Sequence, residues 1–460
     1  MAALPRSAQA PAPNIPSTLR RVRAEDVIGV LGANGVLIVA MWVRHGGLDQ
    51  LGTVDGVAIA IGQLAALIGT YLSLIQLVLM SRAPWLDRVF GRDRLTLGHR
   101  WVGFASVWLI VGHAVFTTVG FALADGQSVL GEAWTLITTW DFVLMATVSL
   151  GLFVAVAVSS VRLARRRLSY ESWYGIHLYA YLAIALGFAH QLAVGTDFVD
   201  DPIARIYWIA LYVVAFGLLL LNRIATPIVV NLRHRFRVSN VVEEAPGVIS
   251  VYLNGHGLDR FPIRAGQYVV VRFLTNGWWR AHPYSISAQP NGRWLRLTVK
   301  ALGDDSTRLT HLRIGTRAIV EGPYGNMTGE RRSSDRILMV AGGIGVTPLR
   351  ALLEELSAMA RVTLLYRTRD AVDLVFRREL DQLASRRGVT VHYLVGRRGR
   401  DVGLRGRDPL GPQSIQALVP DVGSRDVYLC GPNAMMEAVA RTVQQLGVPG
   451  GRIHRERFDT

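Results

Sequence analysis

The chain has 460 residues, of which half are hydrophobic, and its formal net charge is +16. A mean hydropathy of +0.28 is high for a soluble enzyme and indicates membrane segments. The charge comes almost entirely from arginine, with Lys300 the only lysine, and the arginines flank apolar segments instead of forming a nucleic-acid-binding patch. The single cysteine, Cys430, excludes an internal disulfide framework and a multi-cysteine zinc or iron–sulfur site.

Six apolar stretches in the first half of the chain are each long enough to cross a bilayer. The predicted spans are residues 25–43, 55–80, 98–122, 141–163, 172–194 and 203–224. The Ala- and Pro-rich segment that precedes them, residues 1–24, is predicted to be a disordered N-terminus.

The loops between these spans alternate in charge. Arginines concentrate before the first span, between the second and third, between the fourth and fifth, and after the sixth: Arg20, Arg21, Arg23, Arg82, Arg88, Arg92, Arg94, Arg165, Arg166, Arg167, Arg233, Arg235 and Arg237. The other loops carry carboxylates, at Asp125, Glu132, Asp197, Asp200 and Asp201. By the positive-inside rule, we expect a multi-pass protein of the plasma membrane with both termini in the cytoplasm.

Four histidines lie inside two of the predicted spans. His99 and His113 are fourteen residues apart in the third span, and His177 and His190 are thirteen apart in the fifth. One histidine in a span could be a hydrogen-bonded core residue, but a titratable ring in a bilayer is functional by default, and each pair covers about 20 Å of helix. We expect two bis-histidine haems, the inner on His99 and His177 and the outer on His113 and His190.

From about residue 232 the pattern changes to short alternating runs with Gly and Pro between them, which predicts a small antiparallel β-barrel. Three segments in it, HPYS, LGDDSTRL and the tight turn GPYG at residues 322–325, suggest flavin binding, although ordinary turn chemistry is the alternative for each. The segment HPYS places an aromatic ring beside a hydroxyl, and LGDDSTRL has the composition of a turn into a helix whose N–H groups suit a pyrophosphate. The candidate FAD-binding residues are His282, Pro283, Tyr284, Ser285, Lys300, Gly303, Ser306 and Thr307.

From about residue 335 the pattern becomes α/β. An apolar strand, a glycine loop and an amphipathic helix follow one another, which suits a nucleotide phosphate although the spacing is not G-x-G-x-x-G. The candidate nucleotide-binding residues are Gly342, Gly343, Gly345, Thr347 and Pro348 in this segment, Arg367 and Arg369 at the end of the next strand, and Cys430, Gly431 and Pro432 after a later one. The arginines suit a ribose 2′-phosphate, with a solvated charge cluster as the alternative, and Cys430 could instead be a buried structural residue.

These motifs together resemble the NADPH oxidase and ferric reductase superfamily, bacterial members included, over nearly the whole chain. The histidine spacings match the family's haem domain, HPYS its flavin motif, GDDST its pyrophosphate loop, GGIGVTP its nucleotide loop and LCGP its nicotinamide motif. The Arg369–Asp370 pair matches one that the family places near the NADPH phosphate. The C-terminal segment matches one whose last aromatic residue covers the flavin, which implies that role for Phe458.

The resemblance implies a multidomain fold. Its expected parts are a disordered N-terminus over 1–24, a six-helix transmembrane haem domain over 25–225, a β-barrel FAD domain over 226–333 and a Rossmann-like α/β NAD(P)H domain over 334–460. The expected catalytic residues are Tyr284, Ser285, Cys430 and Phe458.

The function implied is electron transfer from cytosolic NADPH, or NADH, through FAD and two b-type haems to a small acceptor outside the membrane. O2, giving superoxide, is the first expectation; ferric iron or a chelate, and a module that feeds a partner membrane protein, are the alternatives. Animal oxidases of the family carry a further histidine one helical turn beyond the outer ligand, where this chain has Thr117, which argues against a dedicated superoxide producer. The partners expected are NAD(P)H, membrane lipid and the acceptor, with no nucleic acid.

Overall fold

A computed structural model describes most of the chain. The described residues are 23–161, 165–195, 199, 201–275, 280–301, 309–357, 359–386, 388–396 and 408–456. The chain divides into two compact units, and the division falls between Ile224 and Ala225. Most of the predicted N-terminal segment, the flavin candidates Gly303, Ser306 and Thr307, and Phe458 lie outside the described residues.

The first unit is helical. Its helices are α1 (Ala24–Arg44), α2 (Val54–Leu79), α3 (Pro84–Phe90), α4 (Arg92–Asp125), α5 (Val129–Thr139), α6 (Val143–Ser160), α7 (Tyr170–Val194) and α8 (Pro202–Leu220). Six of the helices in the described part of the chain are long and apolar enough to cross a membrane, so the six predicted spans are confirmed as helices. The short helices α3 and α5 were not predicted, because about two or three turns give too little periodicity to recognise.

Local sequence explains where three of these helices begin. The Thr53 side chain accepts from Gly56 N at 3.2 Å at the start of α2, and Ser169 accepts from Ser172 N at 3.1 Å at the start of α7. Asp201 caps α8 by accepting from Ile203 N at 2.8 Å. Each cap satisfies an N–H group that the first helical turn leaves without a partner.

Interhelical hydrogen bonds hold the unit together where water is excluded. The hydroxyls of Ser73 on α2 and Ser106 on α4 lie 2.6 Å apart, and Ser106 donates to Gly69 O at 3.0 Å. Tyr212 on α8 donates to the Gln191 amide oxygen on α7 at 2.9 Å, and that amide also donates to Thr70 on α2. Such bonds contribute on average about 0.6 kcal/mol each in a membrane, so several are needed to fix the register of four helices.

The second unit contains helix α9 (Thr226–His234), which the sequence did not predict, followed among the described residues by six strands. These are β1 (Arg237–Ala245), β2 (Val248–Asn254), β3 (Tyr268–Phe273), β4 (His282–Ser285), β5 (Trp294–Lys300) and β6 (Ala318–Tyr324). They form two three-stranded antiparallel sheets, ordered β1-β2-β5 and β4-β3-β6. Isolated bridges at Arg237–Arg317 and Ile286–Leu297 join the sheets, as in a partly open barrel.

The rest of the unit is α/β. Its elements are β7 (Arg336–Gly342), α10 (Val346–Leu356), β8 (Arg361–Thr368), α11 (Arg377–Ala384), β9 (Val389–Val395), α12 (Pro412–Leu418), β10 (Asp426–Cys430), α13 (Asn433–Gln445) and β11 (Ile453–Arg455). The strands form one parallel sheet in the order β11-β10-β7-β8-β9. β7 is central, and the buried run from Ile337 to Ala341 is apolar throughout because both of its faces are covered.

Candidate functional site

The first pair of predicted haem ligands meets inside the helical unit. His99 on α4 and His177 on α7 have ring centroids 5.9 Å apart with the rings inclined at 70°. Two metal–nitrogen bonds of about 2 Å in line would set two imidazole centres about 6 Å apart. The spacing of the two rings therefore fits one iron atom between them.

The neighbours of this pair differ between the two histidines. His177 stacks on Trp173 with ring centroids 5.1 Å apart, and the Arg165 guanidinium lies 4.7 Å from the Trp173 ring. The Nδ1 atom of His177 is buried and has no hydrogen-bond partner among the described residues. His99 instead has a polar neighbour, since one end of the Gln76 amide lies 2.5 Å from its Nδ1.

The second pair of predicted haem ligands is His113, fourteen residues after His99 on α4, and His190, thirteen residues after His177 on α7. His113 Nδ1 lies 3.0 Å from the Gly62 carbonyl oxygen and 3.2 Å from Thr117 Oγ1. A carbonyl can only accept, so Nδ1 carries the hydrogen and the Nε2 lone pair of a neutral ring is free for a metal. His190, on α7, is half-buried. The hydrogen on His113 Nδ1 leaves a nitrogen donor of the kind that haem iron binds.

Thr117 therefore contacts an expected haem ligand itself. Its hydroxyl shares His113 Nδ1 with the Gly62 carbonyl. This contact gives Thr117 a role in orienting the ring of His113.

A cavity opens at the end of the bundle where α2 begins and α4 ends. Its volume is about 420 Å³. Polar and acidic residues line much of it, with Ile59 and Phe121 on the apolar side: Asp49, Gln50, Gly52, Thr53, Asp55, Gly56, Ile59, Gln63 and Phe121. Gln63 follows the residue whose carbonyl contacts His113, and Phe121 lies two helical turns beyond that histidine, about 12 Å along the axis.

In the second unit, the flavin candidates of HPYS form strand β4. Tyr284 pairs with Val269 and Ser285 with Tyr268 in the antiparallel register of β3 and β4. Ser285 is buried, whereas Tyr284 is half-buried and Pro283 is exposed. Alternation along the strand thus places the Ser285 hydroxyl in the core and leaves part of the Tyr284 side chain exposed, which is compatible with a flat aromatic cofactor. Of the other candidates, Lys300 ends β5 and its ammonium lies 3.3 Å from Asp373 in the nucleotide domain.

The nucleotide candidates gather at the carboxyl edge of the parallel sheet. In the register of the sheet, Gly342 at the end of β7 is level with Arg367 on β8, and Ala341 is level with Cys430 on β10. A Cβ atom on Gly345 would collide with the Cys430 carbonyl oxygen, so only glycine permits this approach of the two loops. Ligands bind outside the carboxyl ends of strands in open α/β sheets, and this edge is therefore the candidate nucleotide site.

Other nucleotide candidates have partners within the protein. Thr347 and Pro348 are buried in the first turn of α10, where Thr347 Oγ1 donates to Ile344 O at 2.9 Å. Arg367 Nη1 donates to Leu394 O on β9 at 3.0 Å, whereas Arg369 is exposed. Of the two arginines, the exposed Arg369 is therefore better placed to contact a ligand.

Cys430 is fully buried at its strand end, and burial first, then the nearby Glu456 carboxylate, raise the pKa of its thiol. The group is therefore a neutral thiol at neutral pH. Glu456 is also buried, and a Cβ on Gly325, whose φ is +87°, would lie 2.6 Å from Glu456 Oε1. The sequence did not single out Glu456, which reaches this place because β11 pairs with β10.

Three family descriptions match successive parts of the chain. Residues 65–188 match the "Ferric reductase like transmembrane component", residues 236–328 an "FAD-binding domain", and residues 339–441 an "Oxidoreductase NAD-binding domain". The fold and these matches define a multi-pass membrane oxidoreductase that depends on NAD(P)H and carries an FAD-binding domain. The chain belongs to the NADPH oxidase and ferric reductase superfamily, as its motifs predicted.

Curated relatives resemble part of the chain. The glycine betaine monooxygenase reductase subunit of Chromohalobacter salexigens is 28% identical over 249 residues, which are 52% of this chain and 67% of the relative. The NADH oxidoreductase HCR of Escherichia coli is 31% identical over 241 residues, 49% of this chain and 68% of the relative. Among solved structures, the FAD/NAD-binding domain of nitric oxide dioxygenase from Vibrio cholerae is 27% identical with a TM-score of 0.42, covering 49% of this chain and 98% of that one.

Proposed function

We propose that this protein carries electrons across the plasma membrane from cytosolic NADPH, with NADH as an alternative donor, to a small acceptor outside. The acceptor in this proposal is O2, reduced to superoxide. Bound FAD would supply hydride acceptance and one-electron release, and two b-type haems would supply one-electron transfer. The observation that carries the proposal is that α4 and α7 each contribute a histidine to both pairs, with the first pair 5.9 Å apart.

The four histidines would hold two haems through their ring nitrogens. His99 and His177 would hold a haem near the cytoplasmic face, and His113 and His190 a haem near the outer face. The arginines support this orientation, since Arg92 and Arg94 lie at the start of α4 and positive loops stay inside. The protein would thereby place two one-electron carriers at different depths of the membrane.

On the donor side, the glycine loop Gly342–Gly345 would cradle the nucleotide pyrophosphate with its backbone N–H groups. Cys430 would lie against the nicotinamide ring as a neutral thiol. The neighbouring Glu456 carboxylate would favour the protonated form of this thiol. Tyr284 and Ser285 would hold the flavin ring. Gly303, Ser306 and Thr307 as a flavin pyrophosphate site, and Phe458 as the flavin cover, remain part of the proposal from sequence.

A ferric or metal-chelate reductase is the second candidate. The cavity beyond His113 favours it, because the carboxylates of Asp49 and Asp55 would attract a cationic acceptor that O2 does not resemble. The presence of Thr117 where animal oxidases have a histidine favours it as well.

The test is NADPH-driven reduction of cytochrome c by the purified, FAD-supplemented protein, with and without superoxide dismutase. If O2 is the acceptor, dismutase abolishes the signal. A signal that persists with dismutase moves the function to direct metal reduction. In that case Asp49→Asn with Asp55→Asn should raise the KM for a cationic ferric complex and leave that for an anionic one unchanged or lower.

A further inference from the structure

Helix α9 carries aliphatic side chains that the second unit leaves exposed. Ile228 is 53% exposed, Val229 60% and Leu232 69%. With 3.6 residues per turn, the three positions fall within about 100° of one another around the helix axis. Single exposed aliphatic residues are ordinary on a protein surface, but several that share one helix face mark a surface for a partner or a membrane.

The opposite face of α9 is fastened to the FAD-binding sheets. The Asn231 side chain donates to Val320 O on β6 and accepts from Val320 N, both at 2.8 Å. His234 is buried, and its Nδ1 donates to His256 O at 2.7 Å, because a carbonyl oxygen can only accept. Val230 packs against the apolar core of the same unit. These contacts hold the aliphatic face of α9 pointing away from the domain.

The charged residues beside this face are positive. Arg237 Nη1 donates to Gly315 O at 3.1 Å, which brings a second arginine-bearing loop next to the end of α9. Residues 225–242 and 309–320 contain no carboxylate. The exposed arginines of these two segments are Arg233, Arg235, Arg237, Arg313 and Arg317. Together they favour an anionic partner.

The position of α9 in the chain indicates which anionic partner this is. Helix α8 has 19 residues, and the π-helical turn Leu221–Ala225 that follows it has 5. At 1.5 Å per residue they reach about 36 Å, which is enough to cross about 30 Å of hydrocarbon. Because Thr226 follows this turn directly, α9 begins at the membrane surface. A helix with an aliphatic face and flanking arginines is suited to the interface between acyl chains and headgroups.

We propose that α9 lies in the interface of the cytoplasmic leaflet and docks the FAD-binding domain on anionic lipid. Ile228, Val229 and Leu232 enter the upper part of the acyl chains, and the arginines pair with lipid phosphates. Since Asn231 ties α9 to β6, the lipid contact restrains the whole FAD-binding domain at the membrane surface. The inference rests on the cytoplasmic orientation in the proposed function.

The experiment attaches a bimane fluorophore to Leu232→Cys in the full-length, FAD-loaded protein. The protein is reconstituted into nanodiscs of phosphatidylcholine with or without phosphatidylglycerol. Fluorescence quenching is measured with a phosphatidylcholine that carries a nitroxide on its headgroup, and separately with iodide in the water. Met359→Cys is the matched control, because Met359 is 52% exposed and lies just after α10 in the nucleotide domain. Labelled wild type gives the background from Cys430, and FAD content per chain checks the folding of each variant.

We expect the nitroxide lipid to quench the label at residue 232 at least about twofold more than the label at residue 359, because an interfacial helix buries its apolar face about 5–10 Å deep. Iodide should show the reverse order. Arg233→Gln with Arg235→Gln should weaken lipid quenching at residue 232 in discs with phosphatidylglycerol and leave it unchanged in discs of phosphatidylcholine alone.

Three results would overturn the inference. Iodide could quench both labels equally, which would place α9 in water. Neither quencher could reach residue 232, which would mean that another protein surface covers the helix. Phosphatidylglycerol could make no difference to the quenching in the protein with both arginines. A protein without haem would instead overturn the proposed function and leave this measurement intact.

Discussion

Arg296 on β5 and Glu379 on α11 form a two-pronged ion pair that joins the FAD-binding sheets to the nucleotide domain. Arg296 Nη1 and Nη2 lie 2.7 and 3.0 Å from the two carboxylate oxygens of Glu379, and Arg350 Nε lies 2.7 Å from the same carboxylate. The Arg296 side chain is only 4% exposed, and its guanidinium also lies 4.5 Å from the Phe376 ring. A planar guanidinium that donates through two nitrogens fixes orientation as well as distance, so this pair restrains the orientation of β5 relative to α11.

Removing the carboxylate should destabilise the second unit markedly. Glu379→Gln leaves the buried Arg296 without its counter-charge, which costs about 3 kcal/mol because a buried charge has lost its partner. The measurement is the midpoint of thermal FAD release, followed by flavin fluorescence.

A matched control comes from an exposed pair in the same unit. Arg264 and Glu330 form an ion pair whose side chains are 38% and 61% exposed, so Glu330→Gln should cost less than about 1 kcal/mol. Equal losses in Glu379→Gln and Glu330→Gln would contradict a special role for the buried pair.

The same carboxylate gives a pH dependence. Burial would raise the pKa of Glu379, but hydrogen bonds and charges from Arg296 and Arg350 outweigh it and hold this pKa below its ordinary value of 4.5. The stabilisation is therefore complete above pH 4.5 and is lost as the pH falls through the lowered pKa. The difference in FAD-release midpoint between wild type and Glu379→Gln should be constant above that pH and shrink below it. A difference in midpoint that grows on acidification would contradict a lowered pKa of Glu379 in the folded protein.

Nucleotide preference should depend on Arg369 more than on Arg367. Arg369 is exposed beyond the sheet edge, whereas Arg367 donates to Leu394 O within the sheet. A charged hydrogen bond contributes about 1.5–3 kcal/mol, so Arg369→Ala should raise the KM for NADPH roughly 10-fold or more and leave that for NADH nearly unchanged. Steady-state kinetics with both nucleotides checks this. Equal effects on the two would remove the assignment of the 2′-phosphate to this residue.

The Cys430 thiol should be unreactive in the folded protein. It is fully buried, and burial together with Glu456 raises its pKa, so little thiolate is present at neutral pH. Iodoacetamide should label the chain slowly under native conditions and fully after denaturation, which mass spectrometry of this single cysteine can follow. Fast labelling of the native protein would show that the strand end is open.

The sequence predicted features that depend on local pattern. The six spans follow from hydropathy, and the strand, loop and helix around Gly342 follow from alternation and glycine spacing. The four histidines could be predicted as functional because titratable rings are rare in apolar helices. Gln76 is also a polar residue within a span, but its contact with His99 depends on α2 lying beside α4, which no local pattern reports.

Features that depend on tertiary contacts could not be predicted from the sequence. Glu456 is one acidic residue among many until the pairing of β11 with β10 brings it against Gly325 and Cys430. Arg296 and Glu379 are 83 residues apart, and their pairing follows from how β5 meets α11. Helix α3 begins with a proline at N1, and helix α5 begins after a serine cap. Both helices are too short for an apolar periodicity to be recognised in the sequence.

Anaerobic reduction of the purified protein with NADPH shows whether two histidine pairs carry electrons between the flavin and the outside. We expect two low-spin haems per chain in wild type, both reduced by NADPH when FAD is bound. His113→Leu should keep one haem that NADPH still reduces, and should stop delivery of electrons to outer acceptors. A wild-type protein without haem absorption, or a His113→Leu variant that delivers electrons as well as wild type, would contradict it.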